Sequence, residues 1–163
     1  MSRTKSVGLR GTAMWVYDAS LSLVLAELIT LVEGAPSDER PGWWPGVVRD
    51  LRVQAVISDF FFDLDLGLSD QQRAELAELF DQAAELVRVR QVFTADEAAA
   101  WPVLDDIPVI FRGSEPEPTG PAAELGHAVA ELIRGTLPPS PPGTSWFYGS
   151  PGGRRTIGTP TAS

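Results

Sequence analysis

The sequence predicts an all-α protein, a small bundle of four to five helices with at most one or two short strands. Apolar residues recur at three- and four-residue spacing over 19–33, which is the period of a buried helix face. Two capping boxes, Ser69 with Gln72 and Thr94 with Glu97, mark the starts of two further helices. The 163 residues suit one such domain and leave little room for a second.

The first helix is predicted over Ala19–Glu33, with Asp18 or Ser20 as its cap and Gly34 beyond its end. Its apolar side chains extend around most of its circumference. We therefore expect it either to lie at the centre of the bundle or to present its open side to a partner.

The second helix is predicted to begin near Pro45, because the first turn of a helix needs no backbone N–H there. Helical spacing favours a helix to about Phe62, although residues 52–57 could alternatively form a strand. A turn is expected through Asp63–Gly67 before the next capping box.

Three more helices complete the predicted bundle. The helix that follows Ser69 has one apolar face, which comprises Leu76, Leu79, Phe80, Ala83, Leu86 and Val87. A short helix over Ala95–Trp101 ends at Pro102, and residues 108–111 form a short strand or an extended packing arm. The last helix begins at Pro121 and ends before Gly135.

The two ends of the chain differ in composition from its middle. Pro, Gly, Ser and Thr supply 19 of the last 27 residues, a composition that buries too little apolar surface to order itself. We therefore predict a flexible segment over 1–13, a single helical domain over 14–136 and a disordered tail over 137–163.

The residue inventory excludes several kinds of chemistry. The sequence has no cysteine, one lysine and one histidine, so disulfides, thiol nucleophiles, zinc fingers and two-histidine metal sites are ruled out. That histidine, His127, has no nucleophile elbow to serve, and we expect it to lie on a helix flank. No apolar stretch reaches membrane-spanning length. Because the sequence also lacks recognisable catalytic machinery, we expect a cytoplasmic, non-enzymatic protein without a cofactor.

The net charge of the chain restricts the class of molecule that it can bind. The net charge is −9, which argues against nucleic acids and anionic membranes because both are polyanions. Residues 11–136 carry all 22 acidic side chains against eight arginines, a net charge of −14. A basic protein is therefore the expected partner. Two acidic groups could steer it, namely Glu75, Glu78, Asp81 and Glu85, or Asp96, Glu97, Asp105 and Asp106.

A third acidic group, Asp59, Asp63 and Asp65, is the candidate metal site. Two or three carboxylates can bind a hard cation such as Mg²⁺, which leaves a metal-dependent hydrolase as an alternative function. A calcium loop is excluded, because Gly67 falls one position early and Ala74 stands where the last ligand should be. Solvated carboxylates between buried apolar residues are the favoured interpretation.

Aromatic residues are the remaining binding candidates. Trp43 and Trp44 lie in a predicted loop, where they either anchor a partner or fold back over the end of the bundle. Trp146 and Tyr148 lie in the otherwise polar tail, where they either dock onto their own domain or act as a short linear motif.

The layout from Trp43 to Ile107 resembles a group of small acidic bacterial proteins. The shared features are an amphipathic first helix, a loop tryptophan, an aromatic–acidic stretch such as Phe60–Asp63 and a capped helix. Some proteins of this appearance are immunity proteins for secreted toxins, and the resemblance transfers no residue role. It favours a protein-binding domain, with an immunity-type inhibitor of a basic toxin as its specific form. A structural subunit that oligomerises through its first helix is a further alternative.

Overall fold

The computed structural model describes residues 3–57 and 61–158, and its fold is mixed α/β. Helices account for 48% and strands for 21%, so the all-α prediction is wrong. Strands gain their stability from partners that are distant in sequence, and local periodicity does not reveal those partners.

The described residues form nine strands in three sheets. They are β1 Thr4–Leu9, β2 Thr12–Tyr17, β3 Phe62–Asp63, β4 Val92–Phe93, β5 Pro102–Leu104, β6 Ile107–Pro108, β7 Glu117–Pro118, β8 Thr144–Tyr148 and β9 Arg155–Gly158. The main sheet has the order β3-β1-β2-β8-β9, and β4-β7 and β5-β6 form two small antiparallel sheets. In the main sheet β1–β2 and β8–β9 are antiparallel, whereas β1–β3 and β2–β8 are parallel.

Helices cover one face of the main sheet. They are α1 Asp18–Glu33, α2 Trp44–Val56, α3 Asp70–Arg90, α4 Ala95–Ala99 and α5 Gly120–Arg134, with a short 3₁₀ turn at Ser37–Glu39. The helices α1, α3 and α5 pack against one another, and α5 also contacts β1, β2 and β8. None of the described helices combines the length and the apolar character needed to cross a bilayer.

Both chain ends contribute to the main sheet, contrary to the expected flexible start and disordered tail. The segment 1–13 contains β1, which forms a hairpin with β2 through Arg10 and Gly11, both at positive φ (51° and 85°). The segment 137–163 contains β8 and β9. Its composition predicted disorder because the partner that orders β8 is β2, more than a hundred residues earlier.

The helix signals in the sequence were more accurate than the fold class. Both capping boxes form, with side-chain and backbone bonds in each direction, and Gly135 ends α5 in the left-handed conformation (φ 76°). The second helix stops at Val56, and Phe62 belongs to β3. Neither expected cap acts on α1, because the Asp18 carboxylate binds Arg112 and the Ser20 hydroxyl donates to the Gly149 carbonyl at 2.6 Å.

The first helix lies at the centre of the fold. Eleven of its sixteen residues are buried, and it packs against α2, α3 and α5. Its wide apolar surface therefore packs within the domain, which is the first of the two predicted alternatives for this helix.

The one lysine of the chain is buried beneath the sheet. Lys5 Nζ donates to the carbonyls of Gln54 (2.8 Å) and Ile57 (3.0 Å), so it satisfies backbone acceptors at the end of α2. Burial lowers the pKa of Lys5 to about 8, and the negative charge of Asp18 opposes that shift. This lysine joins β1 to α2.

Candidate acidic binding site

The acidic residues of α3 are paired with cations. His127 lies on the flank of α5, with Nδ1 2.7 Å from Asp81 Oδ1 and Nε2 2.9 Å from Glu85 Oε2. Arg134 donates to Asp81 at 2.6 Å and to Glu78 at 3.2 Å. The carboxylates of Glu78, Asp81 and Glu85 are thus paired with three basic side chains, which are His127, Arg134 and Arg88.

The geometry around His127 favours its protonated form, because each ring nitrogen needs a proton to bond to the carboxylate it faces. Partial burial by itself lowers the pKa of His127, but the hydrogen bonds and charges of Asp81 and Glu85 outweigh it and raise the pKa above 6.5. The hydrogen bond from Arg88 and, to a smaller extent, the one from His127 lower the pKa of Glu85 to about 2.

The fourth carboxylate of the α3 group contacts a candidate aromatic residue. Trp43 Nε1 donates to Glu75 at 2.7 Å, which ties the start of α2 to α3. Its neighbour Trp44 is 2% exposed and donates to Glu33 at 3.3 Å. Trp43 therefore lies within an intramolecular contact, and Trp44 belongs to the core.

The acidic face that the sequence predicted on α3 is therefore largely neutralised. Glu78, Asp81 and Glu85 face an equal number of cations when His127 is protonated. A basic partner would have to displace those internal cations in order to bind there. This surface is consequently a poor electrostatic target.

The second acidic group differs in this respect. Asp96, Asp105, Asp106 and Glu115 are exposed, and within residues 3–57 and 61–158 none of the four carboxylates makes an ion pair. Glu115 was not part of the predicted group, whose fourth member, Glu97, is bound by Arg90 at 3.3 Å and by its capping box. The uncompensated negative charge of this region is therefore concentrated between α4 and β7.

The centre of that region is a hairpin formed by residues 102–108, which we call the acidic hairpin. Strands β5 and β6 pair through Leu104 and Ile107, so Asp105 and Asp106 form a two-residue turn. Asp105 has φ 53°, a conformation that a short polar side chain tolerates. Ile107 follows directly and is 45% exposed. The turn thus presents two carboxylates beside one apolar side chain.

The base of the acidic hairpin is firmly attached to the domain. Val103 is 2% exposed, and its carbonyl accepts from Arg52 Nη1 at 2.5 Å. The same guanidinium binds Glu33 at the end of α1, and Val109 N donates to Trp101 O at 3.0 Å. A tip on a fixed base has little conformational entropy to lose when a partner binds.

A groove of about 380 Å³ lies beside the base of the hairpin. Its walls are the last turns of α1 and the residues 101–103, with Glu33, Arg52 and Trp101 among the lining side chains. The groove can accept one side chain of a partner that contacts the hairpin. The Arg52–Glu33 ion pair supplies polar groups to this groove, and Trp101 and Val103 supply apolar ones.

The aromatic residues of the predicted tail do not form a free motif. Tyr148 is buried in the core, and Trp146 packs against it with ring centroids 6.2 Å apart. Trp146 Nε1 donates to Pro138 O at 2.6 Å, and the Arg154 guanidinium lies 4.5 Å from the ring. Of the two predicted alternatives, docking onto their own domain is the one that the structure shows.

The predicted metal ligands are only partly described, and the two that are described, Asp63 and Asp65, make other contacts. Asp59 lies outside the described residues. Asp63 Oδ1 accepts from Asp65 N at 2.9 Å, and Asp65 binds Arg73 Nη1 at 2.8 Å. Across the described ranges no group of three metal-ligating side chains occurs. The two carboxylates seen here stabilise the turn before α3.

Some features of the surface were missed at the sequence level. Leu86 was assigned to the inner face of its helix, but it is 38% exposed, and Val89 is 62% exposed. Together with Gln82 these residues follow helical spacing on the outer side of α3, which was the available signal. The role of Arg52 beneath the hairpin had no local signal, because its two partners come from other elements.

Comparison with known protein families, with curated proteins and with solved structures gives no match to this chain. The function of the chain therefore has to be inferred from the chemistry of the site itself.

Proposed function

We propose that this protein is a binding protein for a basic protein partner, and that the acidic hairpin is the point of contact. The observation that carries the proposal is the contrast between two acidic groups of similar size. The carboxylates on α3 are matched by internal cations, whereas Asp105 and Asp106 are exposed and unmatched beside Ile107.

Each part of the hairpin has a separate role in binding. The unpaired carboxylates attract a cationic surface over a distance of about a Debye length, roughly 8–10 Å at physiological salt. Ile107 contributes apolar contact once the surfaces meet, and the adjacent groove accepts a protruding side chain. In the specific form that the resemblance suggests, the hairpin covers the cationic active site of a toxin and so inhibits it.

A basic amphipathic peptide of lysine and leucine is a suitable probe, and its glutamine–leucine counterpart is the uncharged control. In an NMR titration of the ¹⁵N-labelled chain, we expect shift changes at Asp105–Ile107 and beside the groove. The double variant Asp105→Asn/Asp106→Asn should weaken binding by about tenfold, equivalent to about 1.4 kcal/mol. The matched variant Glu78→Gln/Asp81→Asn makes the same change in formal charge on α3 and should have a much smaller effect.

Equal losses in the two double variants would contradict the proposal, because the peptide would then be responding only to net charge. Shift changes centred on α3 would contradict it as well. The immunity-type form needs a second test, in which a toxin encoded beside this gene is expressed together with the wild-type chain or with the Asp105→Asn/Asp106→Asn variant. Protection by the wild type and loss of protection in Asp105→Asn/Asp106→Asn would support it, and equal protection would exclude the hairpin.

A further inference from the structure

The main sheet has one face that the helices do not cover. Strand pairing places Ser6, Gly8, Trp15 and Phe147 on this outward face, opposite to the side of Val7 that packs against the helices. Phe147 is only 5% exposed, and the Arg155 guanidinium lies over its ring. Trp15 is 38% exposed. Phe61 lies against Gly8, where an added Cβ would come within 2.9 Å of the Phe61 ring, and Phe61 is itself 55% exposed. The face is therefore aromatic at its centre and towards one side.

Within residues 3–57 and 61–158, the outward face carries almost no charge, which is unusual in a chain with a net charge of −9. The outward-facing residues of the five strands include one acid and one base. Asp63 pairs with Gly8 and so lies at the β3 edge, whereas Arg155 pairs with Phe147 and lies at the β9 edge. Its guanidinium is 5.0 Å from the centre of the Phe147 ring, which confirms its side of the sheet.

We infer that this outward sheet face is the interface of a symmetric homodimer. Two copies of so acidic a chain repel each other through most of their surfaces. The outward sheet face avoids that repulsion, because its two charges have opposite signs and its centre is apolar. This inference is independent of the function proposed for the acidic hairpin.

The order of the strands makes the face complementary to itself. A two-fold axis parallel to the strands places β9 of one copy above β3 of the other, and β2, the middle strand, above its own counterpart. Each Asp63 then faces the Arg155 of the other copy, and the two Trp15 side chains meet near the axis. The alternative axis, across the strands, would place like charges opposite each other.

The register of the strands allows this pairing. Asp63 pairs with Gly8, which pairs with Ala13, so Asp63 and Ala13 lie at the same height along the strands. In the same way, Arg155 pairs with Phe147, which pairs with Trp15. The offset along the strands is therefore two residues, about 7 Å. A long arginine side chain and the usual rotation of about 30° between packed sheets can accommodate it.

The size of the face sets the expected affinity. The five strands contain 23 residues and lie about 4.8 Å apart, which gives a face of roughly 350–400 Å². A standard interface buries about 800 Å² on each partner, so this dimer belongs to the weak, transient class. We expect a dissociation constant on the order of tens of micromolar.

Sedimentation equilibrium of the full chain, over a range from about 5 μM to 1 mM, tests the inference. The average mass should rise from 17.6 kDa towards twice that value. Trp15→Ser and Arg155→Glu should each raise the dissociation constant at least tenfold. Asp63→Lys combined with Arg155→Glu should restore it to within about threefold of wild type, because the opposite charges then face each other again. Val89→Lys, an exposed substitution on α3, is the matched control and should have no effect.

Thermal unfolding of every variant separates loss of the dimer from loss of the fold. A mass of 17.6 kDa at all concentrations would overturn the inference, as would growth beyond a dimer. A dimer that persists in well-folded Trp15→Ser uses another face and would also overturn it. Failure of a well-folded double charge variant to recover would exclude the proposed symmetry axis and with it the interface described here.

Discussion

The two acidic regions of this protein carry similar numbers of carboxylates but differ in their electrostatic character. On α3, Glu78, Asp81 and Glu85 face His127 and two arginines, so their field is largely cancelled. At the acidic hairpin, Asp105 and Asp106 project into solvent without ion-pair partners among the described residues. The comparison shows that the position of cations, and not the count of acids, decides which surface attracts a basic partner.

The same comparison separates structural carboxylates from binding carboxylates. A paired acid contributes to stability and is costly to remove, whereas an unpaired exposed acid is nearly neutral for folding and available for a ligand. The stability losses caused by substitutions should therefore decrease in a predictable order, from the Asp18–Arg112 pair at the start of α1 to the tip of the hairpin.

The largest loss of stability is expected for the most buried carboxylate, that of Asp18. Asp18 has a fully buried carboxylate and binds Arg112 through both oxygens, at 2.5 and 3.3 Å. Asp18→Asn should lower the free energy of unfolding by about 3–5 kcal/mol, because it leaves a partly buried guanidinium without that charge. Denaturant unfolding measures the loss, and Asp50→Asn at an exposed site on α2 is the control. A loss as small as that of the control would show that burial adds nothing to this pair.

A smaller effect is expected on α3. Asp81→Asn removes the carboxylate shared by His127 and Arg134 and should cost about 1 kcal/mol, or roughly 2–4 °C in the thermal midpoint. Asp106→Asn makes the same chemical change at the hairpin and should leave the midpoint unchanged. Differential scanning calorimetry at low salt compares the two, and equal shifts would contradict the division into paired and unpaired acids.

The smallest loss of stability is expected on removal of the His127 imidazole, and this loss depends on pH. The folded-state pKa of His127 is raised above 6.5, so its stabilisation is fully present below the unfolded value and is lost as the pH rises through the folded value. His127→Gln should therefore cost stability at about pH 5.5, by less than about 1 kcal/mol, and almost nothing at about pH 9. Urea midpoints at the two pH values test this prediction. A cost that grows with pH would mean that His127 is stabilising in its neutral form.

The sequence predicted the helices well and the sheet poorly, and the reason differs between elements. The capping box at Ser69 is a contact over three residues, so it is visible in the sequence and forms as expected. Strand β8 was hidden because its pairing with β2 spans most of the chain, and its Gly- and Pro-rich neighbours suggested disorder. Strand β2 was hidden by its position, because it runs directly into α1.

The candidate site was predictable in the same limited sense. Both acidic groups could be identified from composition and spacing, but the sequence left the choice between them open. The cations that distinguish the two groups, His127 and Arg134, lie about fifty residues along the chain from the carboxylates that they neutralise. Arg52, which fixes the base of the acidic hairpin, is equally remote from Val103.

The sequence by itself determined the local features of this protein: where its later helices start and stop, its strong negative charge and the chemistry that its missing residues exclude. These depend on interactions within one or two helical turns, or on counting. Only the tertiary structure decided the fold class, the fate of Trp146 and Tyr148, and which carboxylates remain unpaired. Those outcomes depend on contacts between distant parts of the chain, which form when burial and strand pairing bring those parts together.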